Sequence, residues 1–268
     1  MCERGHGWLQ RIASYAVARS TANYRVQFLV MKPNTFFIGA PKCGTTSICH
    51  YLSEHPNVFF STPKEPFYWC FDFKAHQLSH EPKYDRIKDY LALFSDANPE
   101  SHQIVAEGST RYLCSRVAAR EIIAHQPDAR FVAFVRNPVA LVQSYHMEQV
   151  YSLYESETDF ETAWRREMKS ADPTDPKTIF IRYVRIANLG SQIEIVQSVV
   201  GKDRLHVVIY DDLRESILDV YTGILEFLDL PSDGRTEFPV LNASHGHRFK
   251  WLAKMVLDPP DLLAPAVR

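Results

Sequence analysis

No stretch of this 268-residue chain approaches the ~18 apolar residues that a membrane-spanning helix needs. The segment "VQFLVM" is far too short, and no small-residue cleavage pattern follows a hydrophobic run. With no anchor in view, the expectation is a cytoplasmic protein without a transmembrane segment. An excess of one charge is also lacking: 30 Lys and Arg stand against 32 Asp and Glu, a net charge of −2. Such a balance speaks against nucleic acid as a partner, while leaving room for a local anion pocket. There is no C-x-x-C pair among the five cysteines, Cys2, Cys43, Cys49, Cys70 and Cys114. An odd count without that spacing argues against a disulfide framework or a structural zinc site, and for reduced thiols. No ligand cluster suggests a metal. Internal repeats and low-complexity linkers are absent too.

What is present is alternation. Short apolar runs, "TFFIGA", "NVFF", "QIVAEG", "RFVAFV" and "RLHVVIY", read as five strands. Helical patterns occupy the segment after "TFFIGA" and stretches near 86–95, 115–125, 138–155, 158–169, 178–200 and 212–229. Strands that are apolar throughout, separated by amphipathic helices, imply a mainly parallel sheet covered on both faces. The Arg-rich stretch "RIASYAVARSTANYR" reads as a surface helix, with a targeting peptide or an interfacial helix as the alternatives, so the expectation is a helical extension over 1–34 and a single domain over 35–268. In such α/β folds ligands sit where strands turn into helices, at the strands' C-terminal ends.

The turn after the first strand is "GAPKCGTT". Gly39 and Gly44 have the spacing of a nucleotide-triphosphate loop, but the lysine that should follow the second glycine stands inside the loop, at Lys42. Loop N–H groups and a helix N-terminus make an anion nest, to which Thr45 and Thr46 add hydroxyls and Lys42 a charge. No carboxylate stands at a Walker-B position; the fourth strand ends instead in Arg136. There Asn137 caps a helix and Pro138 opens it, leaving Arg136 in the crevice and Ser144 two turns into the helix. An Arg and a Ser of this kind could hold a second phosphate. In "STPKEPFYW", Thr62 and Glu65 each precede proline, which predicts a stiff, extended stretch with Lys64 and Glu65 pointing apart. Glu65 is the candidate general base, with His50, His55 and His146 as rivals.

Together these segments resemble the sulfotransferases that use PAPS, the phosphosulfate of adenosine 3′-phosphate. "PKCGTT" is similar to the family's P-K-x-G-T-T loop for the 5′-phosphosulfate, and "RNPVALVQS" to its R-[ND]-P-x(5)-S motif for the 3′-phosphate. "FLDLP" and "NAS" also resemble its C-terminal portion, so the likeness spans roughly residues 35–250. The resemblance implies a P-loop-like three-layer α/β fold, with PAPS as donor, PAP as product and no metal. It assigns the 5′ side to Pro41, Lys42, Cys43, Gly44, Thr45 and Thr46, and the 3′ side to Arg136 and Ser144. Gly246 and Arg248, in "LNASHGHRFKWL", fall where the family closes over its cofactor. Leu141 stands where relatives often carry a second Arg.

"PKEPFYW" further resembles the K-E-x-x-F-F stretch of heparan-type and related carbohydrate enzymes, in which the glutamate is the base; Phe67 replaces a His found in some of them. "EGSTRYL" resembles their E-K-[ST]-x-x-Y segment, with Gly108 in place of a lysine that faces the reaction centre. Lys64, Phe67, Glu107 and Arg111 are thereby candidates for the acceptor side, Glu107 being equally open to a structural role. The expected function is transfer of a sulfuryl group from PAPS to a hydroxyl of a carbohydrate, glycolipid or other small acceptor, with Lys42 and Glu65 catalytic. A nucleotide kinase or NTPase, and a non-catalytic PAP-binding protein, are the alternatives. The sequence does not speak to oligomeric state.

Overall fold

A computed structural model describes residues 31–72, 84–169 and 182–239. Five strands form one sheet: β1 (Thr35–Gly39), β2 (Val58–Phe60), β3 (Ile104–Gly108), β4 (Arg130–Val135) and β5 (Leu205–Ile209). All four pairings are parallel, in the order β2-β3-β1-β4-β5. Each strand coincides with one of the apolar runs. Continuous hydrophobicity is what a parallel strand buried on both faces requires; Phe36, Phe37, Ile38, Phe131, Val132 and Phe134 are all fully buried.

The helices are α1 (Thr45–Ser53), α2 (Ile87–Leu91), α3 (Ala118–His125), α4 (Pro138–Tyr151), α5 (Phe160–Lys169), α6 (Tyr183–Ala187), α7 (Leu189–Val200), α8 (Tyr210–Glu215) and α9 (Ile217–Phe227). Two expected helices are each split. The 178–200 pattern breaks at Asn188, and the 212–229 pattern at Ser216, whose extended backbone (φ −147°) lets its hydroxyl cap α9 by accepting from Asp219 N. Hydrophobic periodicity runs through both breaks, which is why the pattern alone joins them. No helix among the described residues is long and apolar enough to cross a membrane. Nearly all of the expected 1–34 extension lies outside the described residues.

The topology makes a crevice. From β1 the chain passes to β2 and back to β3 on one side of β1, then to β4 and β5 on the other. The connections after β1 and β4 therefore diverge at the C-terminal end of the sheet, the place where open α/β sheets bind ligands. Close approach at this point depends on Gly39. A Cβ there would lie 2.7 Å from Phe134 O and 2.9 Å from Phe134 N on the neighbouring strand.

Candidate active site

A cleft of about 1100 Å³ opens at these strand ends. Its walls are the β1–α1 loop, the segment after β3, one face of α4, and the start of α8. Lys42, Glu65, Arg111, Arg136 and Ser144 all line it.

The loop is shaped by two left-handed residues, Lys42 (φ 63°) and Gly44 (φ 82°). Gly44 is the N-cap of α1 and offers no side chain to cap it. Orphan N–H groups at a helix start seek an acceptor, and the helix dipole favours an anion there. Thr45 and Thr46 line the same space. Cys43 does not contribute its side chain: it is fully buried, and burial pushes its thiol up to about 12. Only its backbone can serve an anion. Lys42 points across the cleft, its Nζ 2.9 Å from Glu148 Oε2 on α4.

Arg136 leaves the end of β4 at a turn built as its sequence suggests. Asn137 Oδ1 accepts from Val139 N and Ala140 N, with Pro138 in the first helical position. The Arg136 guanidinium lies 4.4 Å over the Tyr210 ring, and its Nη1 donates to Lys42 O at 3.1 Å. One arginine thus joins β4, the anion loop and α8. Leu141 is completely buried, so that helix position faces the core rather than the cleft.

The "STPKEPFYW" stretch follows β2 and stays hydrogen-bonded to β3: Ser61 N donates to Ala106 O and Glu65 N to Gly108 O, both at 2.9 Å. It is not the extended segment that the two prolines predicted. Glu65 (φ 63°) and Phe67 (φ 52°) are both left-handed, and the Thr62–Pro63 bond is cis. Left-handed non-glycine residues are costly and gather at functional sites. The turn aims the Glu65 carboxylate into the cleft, where Thr110 Oγ1 donates to its two oxygens at 3.2 Å each. Lys64 does not reach toward the acceptor side as expected. Its Nζ donates to Thr45 Oγ1 at 3.2 Å and Thr46 Oγ1 at 3.3 Å, on the anion loop.

Two further candidates lie off the cleft wall, and Glu107 takes the structural one of its two expected roles. Glu107 is fully buried behind the cleft. Tyr90 donates to Oε2 at 2.5 Å and Ser109 to Oε1 at 2.6 Å, while Trp69 Nε1 donates to the Tyr90 oxygen. Burial raises the Glu107 carboxyl from 4.5 to about 7 against these hydrogen bonds. It is an anchor between β3 and the aromatic cluster of Trp69 and Tyr90, with no access to an acceptor. Phe67 is not part of the cleft wall either; its ring supports Arg111, whose guanidinium lies 4.7 Å above it. Gly246 and Arg248 lie outside the described residues.

The rival histidines are differently engaged. His55 is buried between Pro231 O and Asn57 N, and His50 stands on the exposed side of α1 beside Glu54. His146 borders the cleft, but its Nε2 is 2.9 Å from Glu157 O and the residue is buried. Tyr210, Glu148 and Thr110 are among the cleft residues that no motif singled out. Tyr210 follows directly on β5, a position that itself points to ligands in this architecture. Glu148 stands four residues after Ser144, hence on the same helical face.

Comparison with known proteins agrees with this architecture. The family model described as "Sulfotransferase family" matches residues 33–234. Carbohydrate sulfotransferase 15 of Homo sapiens is 29% identical over 157 residues, which cover 46% of this chain and 27% of that protein. Bifunctional heparan sulfate N-deacetylase/N-sulfotransferase 2 of Homo sapiens is 30% identical over 118 residues, 44% of this chain and 13% of that protein. The match thus spans under a third of either relative's length. The crystal structure of a sulfotransferase from Alicyclobacillus acidocaldarius superimposes with a TM-score of 0.68 at 24% identity, covering 80% of this chain and 87% of that one, which shows a shared fold. A strand–loop–helix turn carrying Thr45 and Thr46, an arginine at the neighbouring strand end, and a family match running through both lead to one conclusion: the chain belongs to the sulfotransferase family.

Proposed function

We propose that this protein transfers a sulfuryl group from PAPS to a hydroxyl of a glycan or related small acceptor, with Glu65 as the general base. The observation that carries the proposal is the meeting, in one cleft, of the β1–α1 loop with Thr45 and Thr46, of Arg136 and Ser144 at the end of β4 and on α4, and of the Glu65 carboxylate. A lone phosphate would need one anchor. A donor with a 5′-phosphosulfate and a 3′-phosphate needs two, and the residues present fit it: an uncapped helix start with two threonine hydroxyls on one side, an arginine over a tyrosine ring on the other. PAPS, when bound, supplies the activated sulfuryl group and leaves as PAP.

The chain's own residues would then divide the work. The loop N–H groups, Thr45 and Thr46 hold the 5′ side, and Lys42 stabilises charge growing on the leaving oxygen. Arg136 and Ser144 hold the 3′-phosphate and fix the donor in place. Glu65 takes the acceptor proton as the new bond forms. The hydroxyl of Thr110, donating to both carboxylate oxygens, keeps Glu65 turned to the acceptor. Arg111, Tyr151 and Tyr154 give the acceptor side a cation and flat aromatic surface, which suits a sugar ring. The names of the two human relatives, a carbohydrate and a heparan sulfate enzyme, support a glycan.

Affinities for PAP and ATP, each with and without magnesium, test this reading. Tight PAP binding that ignores magnesium is expected; a preference for magnesium-bound ATP would replace the reading with a kinase or NTPase. Glu65→Gln should retain PAP binding and lose nearly all turnover on a panel of glycans with labelled PAPS. Full activity in that variant would assign the base role elsewhere.

A further inference from the structure

Glu65 lines the cleft, and the Lys64 ammonium lies just behind the lining, against the Thr45 and Thr46 hydroxyls that border it. The Lys64 ammonium lies 3.2 Å from Thr45 Oγ1, 3.3 Å from Thr46 Oγ1 and 3.5 Å from Glu65 Oε1. A single cation therefore bridges the anion cradle and the candidate base. Its path there crosses Gly108, the last residue of β3. A Cβ on Gly108 would lie 3.3 Å from Lys64 Cε, and 3.2 Å from both Cys49 Sγ and Phe60 Cζ. The lysine stem thus runs over bare backbone, through a gap that a side chain at position 108 would narrow. The hydrogen bond from Glu65 N to Gly108 O holds the stem's root over that gap. Only 25% of the Lys64 side chain is exposed. A lysine so confined gives up its rotamer freedom in folding rather than at each turnover. Lys42, the loop's own lysine, is drawn instead to Glu148 on the opposite wall.

We propose that Lys64 is a donor-side catalytic cation, which binds a non-bridging oxygen of the sulfuryl group during its transfer. The proposal rests on the sulfotransferase reading of this cleft. In the transfer, a bond forms between sulfur and the acceptor oxygen, and the bond from sulfur to the 5′-phosphate oxygen breaks. The breaking bond's electron pair stays with the phosphate, and the acceptor proton passes to Glu65. Lys64 neither gives nor takes a proton. Its charge stands between the cradle and the base, the interval that the moving group must cross. Each threonine hydroxyl can donate its proton to an anion in the cradle while still accepting from Lys64, so the ammonium stays beside the entering sulfuryl group. In a partly enclosed site such a fixed charge favours the transition state strongly.

The distinguishing experiment compares PAP with PAPS, which differ only in the sulfuryl group. Equilibrium binding without acceptor should show Lys64→Met losing about tenfold or more in PAPS affinity, the scale of one charge-assisted hydrogen bond, while its PAP affinity stays within about twofold of the unmutated protein. Turnover should fall by about 10²-fold with the acceptor KM unchanged. Lys64→Gln, similar in size and polar at its tip, repeats the test should the methionine disturb the loop. In a Lys64→Ala background, Gly108→Lys supplies an ammonium from the adjacent strand and should recover part of the lost PAPS affinity. Equal losses of PAP and PAPS affinity would reduce Lys64 to a prop for the loop. A raised acceptor KM with intact kcat would return it to the acceptor side. Either result overturns the proposal. Failure of the unmutated protein to bind PAP would instead refute the sulfotransferase reading, and the role of Lys64 with it.

Discussion

Replacing Glu107 by Gln should change how stability depends on pH, by an amount that follows from the residue's surroundings. The carboxyl is completely buried, and desolvation lifts it from 4.5 to about 7 although Ser109, Tyr90 and Tyr112 all hydrogen-bond to it. The folded protein therefore holds this proton more tightly than the unfolded chain does. Its contribution to stability is fully present below about pH 4.5 and is lost as pH rises through about 7. At 1.36 kcal/mol per pH unit of displacement, the loss is about 3 kcal/mol. Glutamine mimics the neutral carboxyl, offering an acceptor and a donor to hydroxyls that can themselves accept. Its fixed cost or gain is the same at every pH, so only the slope is informative. Denaturant titrations of both proteins from pH 4.5 to 8 should show the variant gaining about 3 kcal/mol relative to the parent, or about 6–12 °C in melting temperature. A stability difference that stays flat across that range would mean that Glu107 ionises normally. Burial would then not be the dominant influence on this group.

Lys42→Ala should lower turnover by about 10²-fold or more, and it also strands Glu148, whose partner at 2.9 Å is gone. The double variant Lys42→Ala/Glu148→Gln should bind PAP more tightly than Lys42→Ala alone, measured by calorimetry, because the bare carboxylate no longer repels an anion; weaker binding would contradict this. Arg136→Ala should weaken PAP binding by about tenfold or more, since the side chain both orders the loop through Lys42 O and offers charge-assisted hydrogen bonds. Unchanged affinity would remove Arg136 from the anion site. Gly39→Ala should cost about 3 kcal/mol or more, because the new Cβ meets β4 backbone at 2.7 Å. Melting within about 2 °C of the parent would show that β1 and β4 can separate at that point without penalty.

The order of elements was legible because it depends on local chemistry. The central strands β1 and β4 announce themselves as apolar runs, since a parallel strand inside the sheet is buried on both faces. The two strand-to-helix turns were legible for the same reason: Gly44 shapes one loop, and Asn137 and Pro138 act within one helix start. What could not be read are directions set by residues far away in the chain. Lys64 reaches the loop because Gly108, on another strand, leaves a gap, and Lys42 is turned away by a glutamate 106 residues later. Proline before and after Glu65 favours extended backbone, yet pairing with β3 holds that residue in a left-handed turn, and only there does its carboxylate meet Thr110. Glu107 shows the converse: a motif-like acidic residue whose position on a fully buried strand commits it to the core. Which residues gather at the strand ends was therefore accessible from spacing, whereas the direction of each charged side chain depends on the register of β1, β3 and β4.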